Sequence, residues 1–283
     1  MSPALETVIA PLDGAPSDAA ALPPEWADWA EEPGQRISVE ENGRTLGTLH
    51  VAMVGSDEAW LEGLWIQPAA RGRGVDRRLF EEAATLAAGY GATVVRTAAA
   101  AGESAVLAIA ESMGFAHCAN AAVGIAEIAS GAISVPGGVR VTEGRPAEVA
   151  AIIGAIGASE YLGAWQGLVP LGWRFRKVRP ELVRGLVKDG RMLRSGETVE
   201  GVAAFAVRGE TAVVSFLDGA HVHRQALYAA VAERARAAGA RRTVLFAPDT
   251  EGWTGIRAAF VPHSWCPNGL VILERRLSRG AGH

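Results

Sequence analysis

The chain has 283 residues, enough for one large domain or two of about 140, and its 49% hydrophobic and 20% charged residues are the balance of a globular protein rather than a disordered one. A net charge of −4 at pH 7 argues against an extended surface that tracks phosphates, so nucleic acid is not an expected partner. The most apolar stretch, AHCANAAVGIAEIASGAISV, is interrupted by His117, Asn120 and Glu127, and the start, MSPALETVIAPLDG, lacks a basic leader; no membrane association and a cytoplasmic location are expected.

Residues 36–54 predict a hairpin around Glu41-Asn42-Gly43, because Asn-Gly suits a turn whose two central residues both need positive φ. Ala59 to Pro68 predicts a third strand. Gly74 to Gly89 then predicts a helix, with Val75, Leu79, Ala83 and Leu86 on one face and Glu81 and Glu82 on the other. GATVVRTAA reads as a strand, ESAVLAIAESMGF as a short helix and VGIAEI as a last strand. This order implies a mixed α/β sheet.

SGAISVPGGVR marks a linker by its glycines and Pro136. Beyond it the layout starts again: VRVTEG as a strand, PAEVAAIIGAIG and PELVRGLVKDG as helices, and VEGVAAFAVRGETAVVSFL as a hairpin around Arg208 to Glu210. RQALYAAVAERARAAGARRTVLFAP repeats RRLFEEAATLAAGYGATVVRTAA, with Gly239-Ala240 in place of Gly91-Ala92. Two related halves are expected, divided as residues 1–134 and 135–283.

The chemistry concentrates in QPAARGRGVDRRLF, Gln67 to Phe80. A strand that ends at a glycine turn and opens a helix aims several unbonded N–H groups at one point, an arrangement suited to pyrophosphate. Neither the Lys-Ser/Thr of a Walker loop nor the strand–helix–strand opening of a dinucleotide fold is present. Cys118 and Cys266 are too few for a disulfide framework, and His221-x-His223 without nearby acidic or cysteine ligands does not predict a metal.

LEGLWIQPAARGRGVDRRLFEEA, followed after a strand by ESAVLAIAESMGF, resembles the GNAT superfamily of acyl-CoA-dependent N-acyltransferases. The cofactor motif of that family, Gln/Arg-x-x-Gly-x-Gly/Ala, is met by Arg71-Gly72-Arg73-Gly74-Val75-Asp76 except at the last position. The resemblance covers residues 36 to 128 well and extends more weakly to about residue 277. It implies two tandem GNAT-like domains, each a mixed, mostly antiparallel twisted sheet flanked by helices. It also implies transfer of an acetyl or other acyl group from acetyl-CoA to an amine by direct attack, without a metal.

Carried over from the family, Leu64, Trp65 and Ile66 line the pantetheine arm where their strand splays from its neighbour. Arg71, Gly72, Arg73, Gly74, Val75 and Asp76 meet the pyrophosphate, although the Asp76 carboxylate would repel it unless turned away. Glu62 occupies the position of the catalytic base in some relatives, and strand alternation places it on the same face as Leu64 and Ile66. Many relatives protonate the departing thiolate with a tyrosine at the position of Ala110, five residues before Phe115. That role is vacant here or falls to Ser112, Cys118, water or the second half.

The second half has DGAHVHRQAL where the first has RGRGVDRRLF, with His221 in place of Gly74, so no equivalent CoA site is expected there. Trp165, Trp173, Phe175, Trp253 and Trp265 read as packing residues, with a substrate cleft between the halves as the other reading. WRFRKVR, Trp173 to Arg179, reads as a solvated strand or helix entrance or as a contact for an acidic substrate. The contrasting function is a catalytically silent acyl-CoA-binding or interaction module, favoured by Ala110 and Asp76.

Overall fold

The computed structural model describes residues 5–11, 34–129, 138–248, 256 and 260–277. The chain forms two compact units, one of residues 1–118 with 271–283 and the other of residues 119–270.

In the first unit the strand order is β1 (Glu6–Pro11), β2 (Gln35–Glu41), β3 (Arg44–Met53), β4 (Glu58–Ile66), β5 (Val94–Ala100) and β15 (Leu270–Arg276). β1 to β4 pair antiparallel, and β4 pairs parallel with β5. The β2–β3 turn is the expected one, with φ of 52° at Asn42 and 75° at Gly43. Helix α1 (Val75–Gly89) buries Val75, Leu79, Phe80 and Ala83 with Ile37, Val39, Leu49, Val51 and Leu61 of the sheet. Helix α2 (Ser104–Ser112) adds Ala110, and Phe115 meets Phe80 edge-on at 5.6 Å.

The second unit repeats this frame. Its order is β6 (Ala116–Glu127), β13 (Arg242–Ala247), β12 (Thr211–Gly219), β11 (Gly201–Arg208), β10 (Met192–Ser195) and β7 (Val141–Glu143). β12 pairs antiparallel with β11 and parallel with β13, as β4 does with β3 and β5. Helix α6 (His221–Ala237) packs Leu227 and Val231 against Leu193, Ala203, Val214 and Leu245. Helices α3 (Val149–Gly157), α4 (Glu160–Ala164) and α5 (Pro180–Lys188), the hairpin β8 (Leu168–Leu171)–β9 (Arg174–Lys177) and β14 (Val261–Pro262) complete the described α-helices and strands. The two Gly-Ala stops are the same device: Gly91 and Gly239 have φ of 91° and 92°, and the next residues reach back, Ala92 N–H to Ala87 O at 3.0 Å and Ala240 N–H to Ala235 O at 2.8 Å.

The compact units run differently from the division at 134/135. β6, expected to close the first half, belongs largely to the second unit, where it pairs with β13 from Ala122↔Ala247 to Glu127↔Arg242. The last strand of the chain, β15, belongs to the first unit beside β5. Hydrophobic pattern identifies a strand but not its pairing partner, which is a non-local choice. Most of the proposed linker, residues 130–137, lies outside the described residues, as does Trp253.

The other large aromatics of the second half are packing residues within that unit. Trp165 is fully buried, donates from Nε1 to Asn120 O at 2.9 Å and meets Phe175 edge-on at 5.6 Å. Trp173 lies against Phe246, His263 and Trp265 at centroid distances of 5.2, 5.1 and 5.5 Å. The reading of Trp173 to Arg179 as a solvated strand is corrected in part: β9 is there, but Trp173, Arg174 and Phe175 are buried.

Candidate active site

β4 and β5 run together for only four register pairs, Glu58↔Val94 to Leu61↔Thr97. This paired portion is clamped by Arg96, whose guanidinium lies 2.7 Å from Glu274 and 3.4 Å from Glu58. Beyond Leu61 the residues Glu62 to Ile66 have no partner on β5, and the facing end of β5 is Ala98-Ala99-Ala100. The expected splay is therefore present in the pairing pattern.

A β-bulge sits at the same point. Between the pairs Thr48↔Trp65 and His50↔Glu62, β3 supplies Leu49 alone whereas β4 supplies Gly63 and Leu64, and Gly63 takes φ of 66°. The extra residue reverses the alternation of β4. Leu64 and Ile66 pack with the core on the side of Leu61 and α1, whereas Glu62 pairs with His50 and Trp65 with Thr48 on the other side. Glu62 therefore does not share a face with Leu64 and Ile66; that expectation assumed an unbroken strand.

The loop after β4 is exposed from Arg71 to Gly74, and α1 starts at Val75. Gly72 and Gly74 have φ of 75° and 76°, and a Cβ at either would meet no atom within 4 Å. Their requirement is conformational, set by the left-handed backbone. The result is an exposed glycine turn at a helix N-terminus, where unbonded amides and the positive end of the helix dipole favour an anion. Val75 is buried in the core, so only its backbone can face a ligand. Arg73 pairs with Glu41 of the β2–β3 hairpin at 2.5 Å. Asp76 turns its Oδ1 to accept from the Arg77 N–H at 2.8 Å, occupying one first-turn donor that an anion would otherwise use.

Glu62 is enclosed, its side chain 3% exposed, with Oε1 2.7 Å from His50 Nδ1. His50 was missed in the sequence, because its place opposite Glu62 is set by the β3–β4 register. Ala110 is fully buried in the core of the first unit. Ser112 is exposed and donates to Ile109 O at 2.7 Å, and Cys118 is buried. Glu103, at the start of α2, has its carboxyl pushed above the ordinary range by burial.

In the second unit β12 has the same bulge, between Ala204↔Phe216 and Phe205↔Val214, and its parallel pairing also stops after four pairs, at Val214↔Leu245. Here protein fills the divergence. The β8–β9 turn reaches it, with Gly172 N–H donating to Ser215 Oγ at 3.1 Å and Trp173 stacked edge-on against Phe246. The connection to the helix, residues 67–74 in the first unit, is Ala220 alone. His221 opens α6, and His223 Nδ1 meets Ser195 Oγ at 3.0 Å with Glu200 3.9 Å from its Nε2. These are the residue types of a hydrolytic triad, but Glu200 lies beyond hydrogen-bond distance of His223 and Ser195 is wholly buried. Among the described residues no cluster of His, Cys, Asp and Glu could hold a metal, and no helix is long and apolar enough to cross a membrane.

Residues 7–115 match the family model described as Acetyltransferase (GNAT) family. No curated protein matches the chain by sequence. Among solved structures, a tandem GNAT protein from the clavulanic acid biosynthesis pathway is similar over 99% of this chain and 100% of its own, with 15% identity and a TM-score of 0.59. A GCN5-related N-acetyltransferase from Sphaerobacter thermophilus is similar over 85% of this chain and 80% of its own, with 14% identity and a TM-score of 0.59. At such identities the structures speak for the fold, while the family model speaks for the first half. The chain thus has the fold of tandem GNAT proteins, and its residues 7–115 match the GNAT acetyltransferase family model.

Proposed function

We propose that the first unit transfers an acetyl group from acetyl-CoA to an amine, on a small molecule or a peptide, in the cytoplasm. The observation that carries this reading is the divergence of β4 from β5 beyond Leu61↔Thr97, which leads to the glycine loop at the start of α1 and places the bulge and Glu62 beside it. The backbone of Leu64, Trp65 and Ile66 would pair with the pantetheine arm, and the amides from Arg71 to Asp76 would receive the diphosphate.

Glu62 then takes the proton from the attacking amine, directly or through one water, as the nitrogen–carbon bond forms. The residue displaced from the ladder at the bulge supplies a backbone dipole next to the thioester oxygen, where negative charge develops. As the carbon–sulfur bond breaks, the CoA thiolate takes its proton from water, since Ala110 offers none. Acetyl-CoA titrated into the purified protein should give one binding event. Glu62→Gln should lower turnover by about 10²-fold or more while sparing CoA affinity, the usual contribution of a general base. Unchanged turnover would remove Glu62 from the mechanism. The second reading, a silent acyl-CoA-binding module, is favoured by the enclosed Ala110; tight CoA binding without transfer to any of a broad panel of amines would establish it.

A further inference from the structure

We infer that His50 is the positioning residue for Glu62, holding its carboxylate through a proton on Nδ1, and that Gly34 keeps the imidazole in place. The inference rests on the reading of Glu62 as base. His50 stands on β3 directly opposite Glu62, its Nδ1 2.7 Å from Oε1, with the two side chains 1% and 3% exposed. Its other nitrogen, Nε2, is buried and has no hydrogen-bond partner.

That asymmetry fixes the tautomer. The chain at Gly34 lies against the far edge of the ring: a Cβ built on Gly34 would fall 1.9 Å from Nε2 and 2.7 Å from Val51 O. A proton on Nε2 would be a buried donor with no acceptor, which costs the full desolvation of that group. On Nδ1 the same proton donates to an acceptor at short range. The ring therefore presents a donor to Glu62 and a bare nitrogen to Gly34, and the carboxylate loses one rotational freedom that it would otherwise have to give up during the reaction. Any side chain at residue 34 would push the ring off this position. A histidine chosen only to fill the space would need neither the donor at Nδ1 nor a glycine across from it.

The wild-type protein tests the contact without any assay: nitrogen-15 spectra of the imidazole should show His50 protonated at Nδ1 and bare at Nε2, and the reverse tautomer would overturn the inference. In turnover, with acetyl-CoA and an acceptor amine, His50→Leu should lower kcat about tenfold, less than loss of the base itself, with acetyl-CoA affinity within about twofold of wild type. His50→Asn, which returns an N–H near the place of Nδ1, should recover most of the loss. His50→Gln, whose amide lies nearer the place of Nε2, should not. Gly34→Ala should resemble His50→Leu. If Glu62→Gln impairs turnover but His50→Leu does not, the positioning role alone falls; if Glu62→Gln is also silent, the base and its positioner fall together.

Discussion

The segments β4–loop–α1 and β12–Ala220–α6 are two versions of one piece of chain, and their differences lie where a ligand would lie. Both have a bulge on the central strand, four parallel register pairs and a glycine stop after the helix. In the first, residues 67–74 build an open glycine turn and the strand divergence faces alanines. In the second, the turn has shrunk to Ala220 and the divergence holds the β8–β9 turn with Trp173. Core packing repeats because it depends on side chains that face α1 or α6, whereas the capacity to hold a diphosphate rests on a few loop residues that the core does not need.

If Trp173 fills the place that the first unit leaves open, Trp173→Ala should be the most damaging of the changes considered. Removing a buried tryptophan costs about 3–5 kcal/mol, and Trp173 sits among Phe246, His263 and Trp265. Denaturant unfolding should show the loss while calorimetry still counts one acetyl-CoA per chain, because the cavity would have no glycine loop to go with it. A second binding event in the variant would mean that the loop is dispensable and that the contrast between the units is only one of filling.

The turn itself comes next. Gly74 has φ of 76°, and a β-branched residue in that region is penalised by about 1–2 kcal/mol. A Cβ at Gly74 would meet no neighbouring atom, so the penalty is conformational: Gly74→Val should relax the turn, misdirect its amides and weaken acetyl-CoA binding by roughly 5- to 30-fold. His221→Val, at the corresponding place in the second half, should leave affinity unchanged. Equal losses would erase the distinction between a working and a degenerate turn.

Features set by neighbouring residues were legible in the sequence: Asn42-Gly43, the α1 stripe, the Gly-Ala stops and the glycine turn all follow from local backbone preference and period. What was not legible depended on pairing between distant segments. The bulge at Gly63 is a property of two strands in register, and it alone moved Glu62 away from the face of Leu64 and Ile66. β1, β10 and the β8–β9 hairpin have too few residues for a reliable period. The places of β6 and β15 are set by partners more than a hundred residues away, and His50 gained meaning only once it was seen opposite Glu62.

The helices differ at one matched site. Phe80 and Tyr228 stand at the same distance before Gly91 and Gly239, and Val95 and Thr243 at the same distance after; the second unit thus has a polar pair, Tyr228 Oη to Thr243 Oγ1 at 2.8 Å, where the first has only apolar side chains. Burial pushes the Tyr228 phenol above its ordinary value of 10.0, with the Thr243 hydrogen bond opposing. A raised folded-state value means that this contribution to stability is whole below pH 10 and is lost as pH rises through the folded value. Tyr228→Phe should cost about 1 kcal/mol near neutrality, because Thr243 retains Ala126 O as a partner at 3.3 Å. The same variant should also flatten the alkaline decline in unfolding free energy. An unaltered decline would place its origin elsewhere.

The smallest effect should come from Asp76, the one position of the loop motif that departs from the GNAT pattern. Its Oδ1 accepts the Arg77 N–H at 2.8 Å, so it satisfies a first-turn donor of the helix while putting negative charge where the diphosphate would arrive. Asp76→Asn retains the acceptor and removes the charge, and should tighten acetyl-CoA binding by about 0.3–1 kcal/mol, the scale of one charge at a helix terminus. Asp76→Gly also frees the Arg77 N–H for the ligand, so it should tighten binding further while costing the helix a favourable first-turn carboxylate and bringing in the poorer helix propensity of glycine, visible as a lower midpoint of thermal unfolding. Both gains should shrink in high salt, since the repulsion they relieve is screened within about 10 Å at 0.1 M. Weaker binding in both variants would reverse the sign of the argument: the carboxylate would then be organising the loop for its ligand.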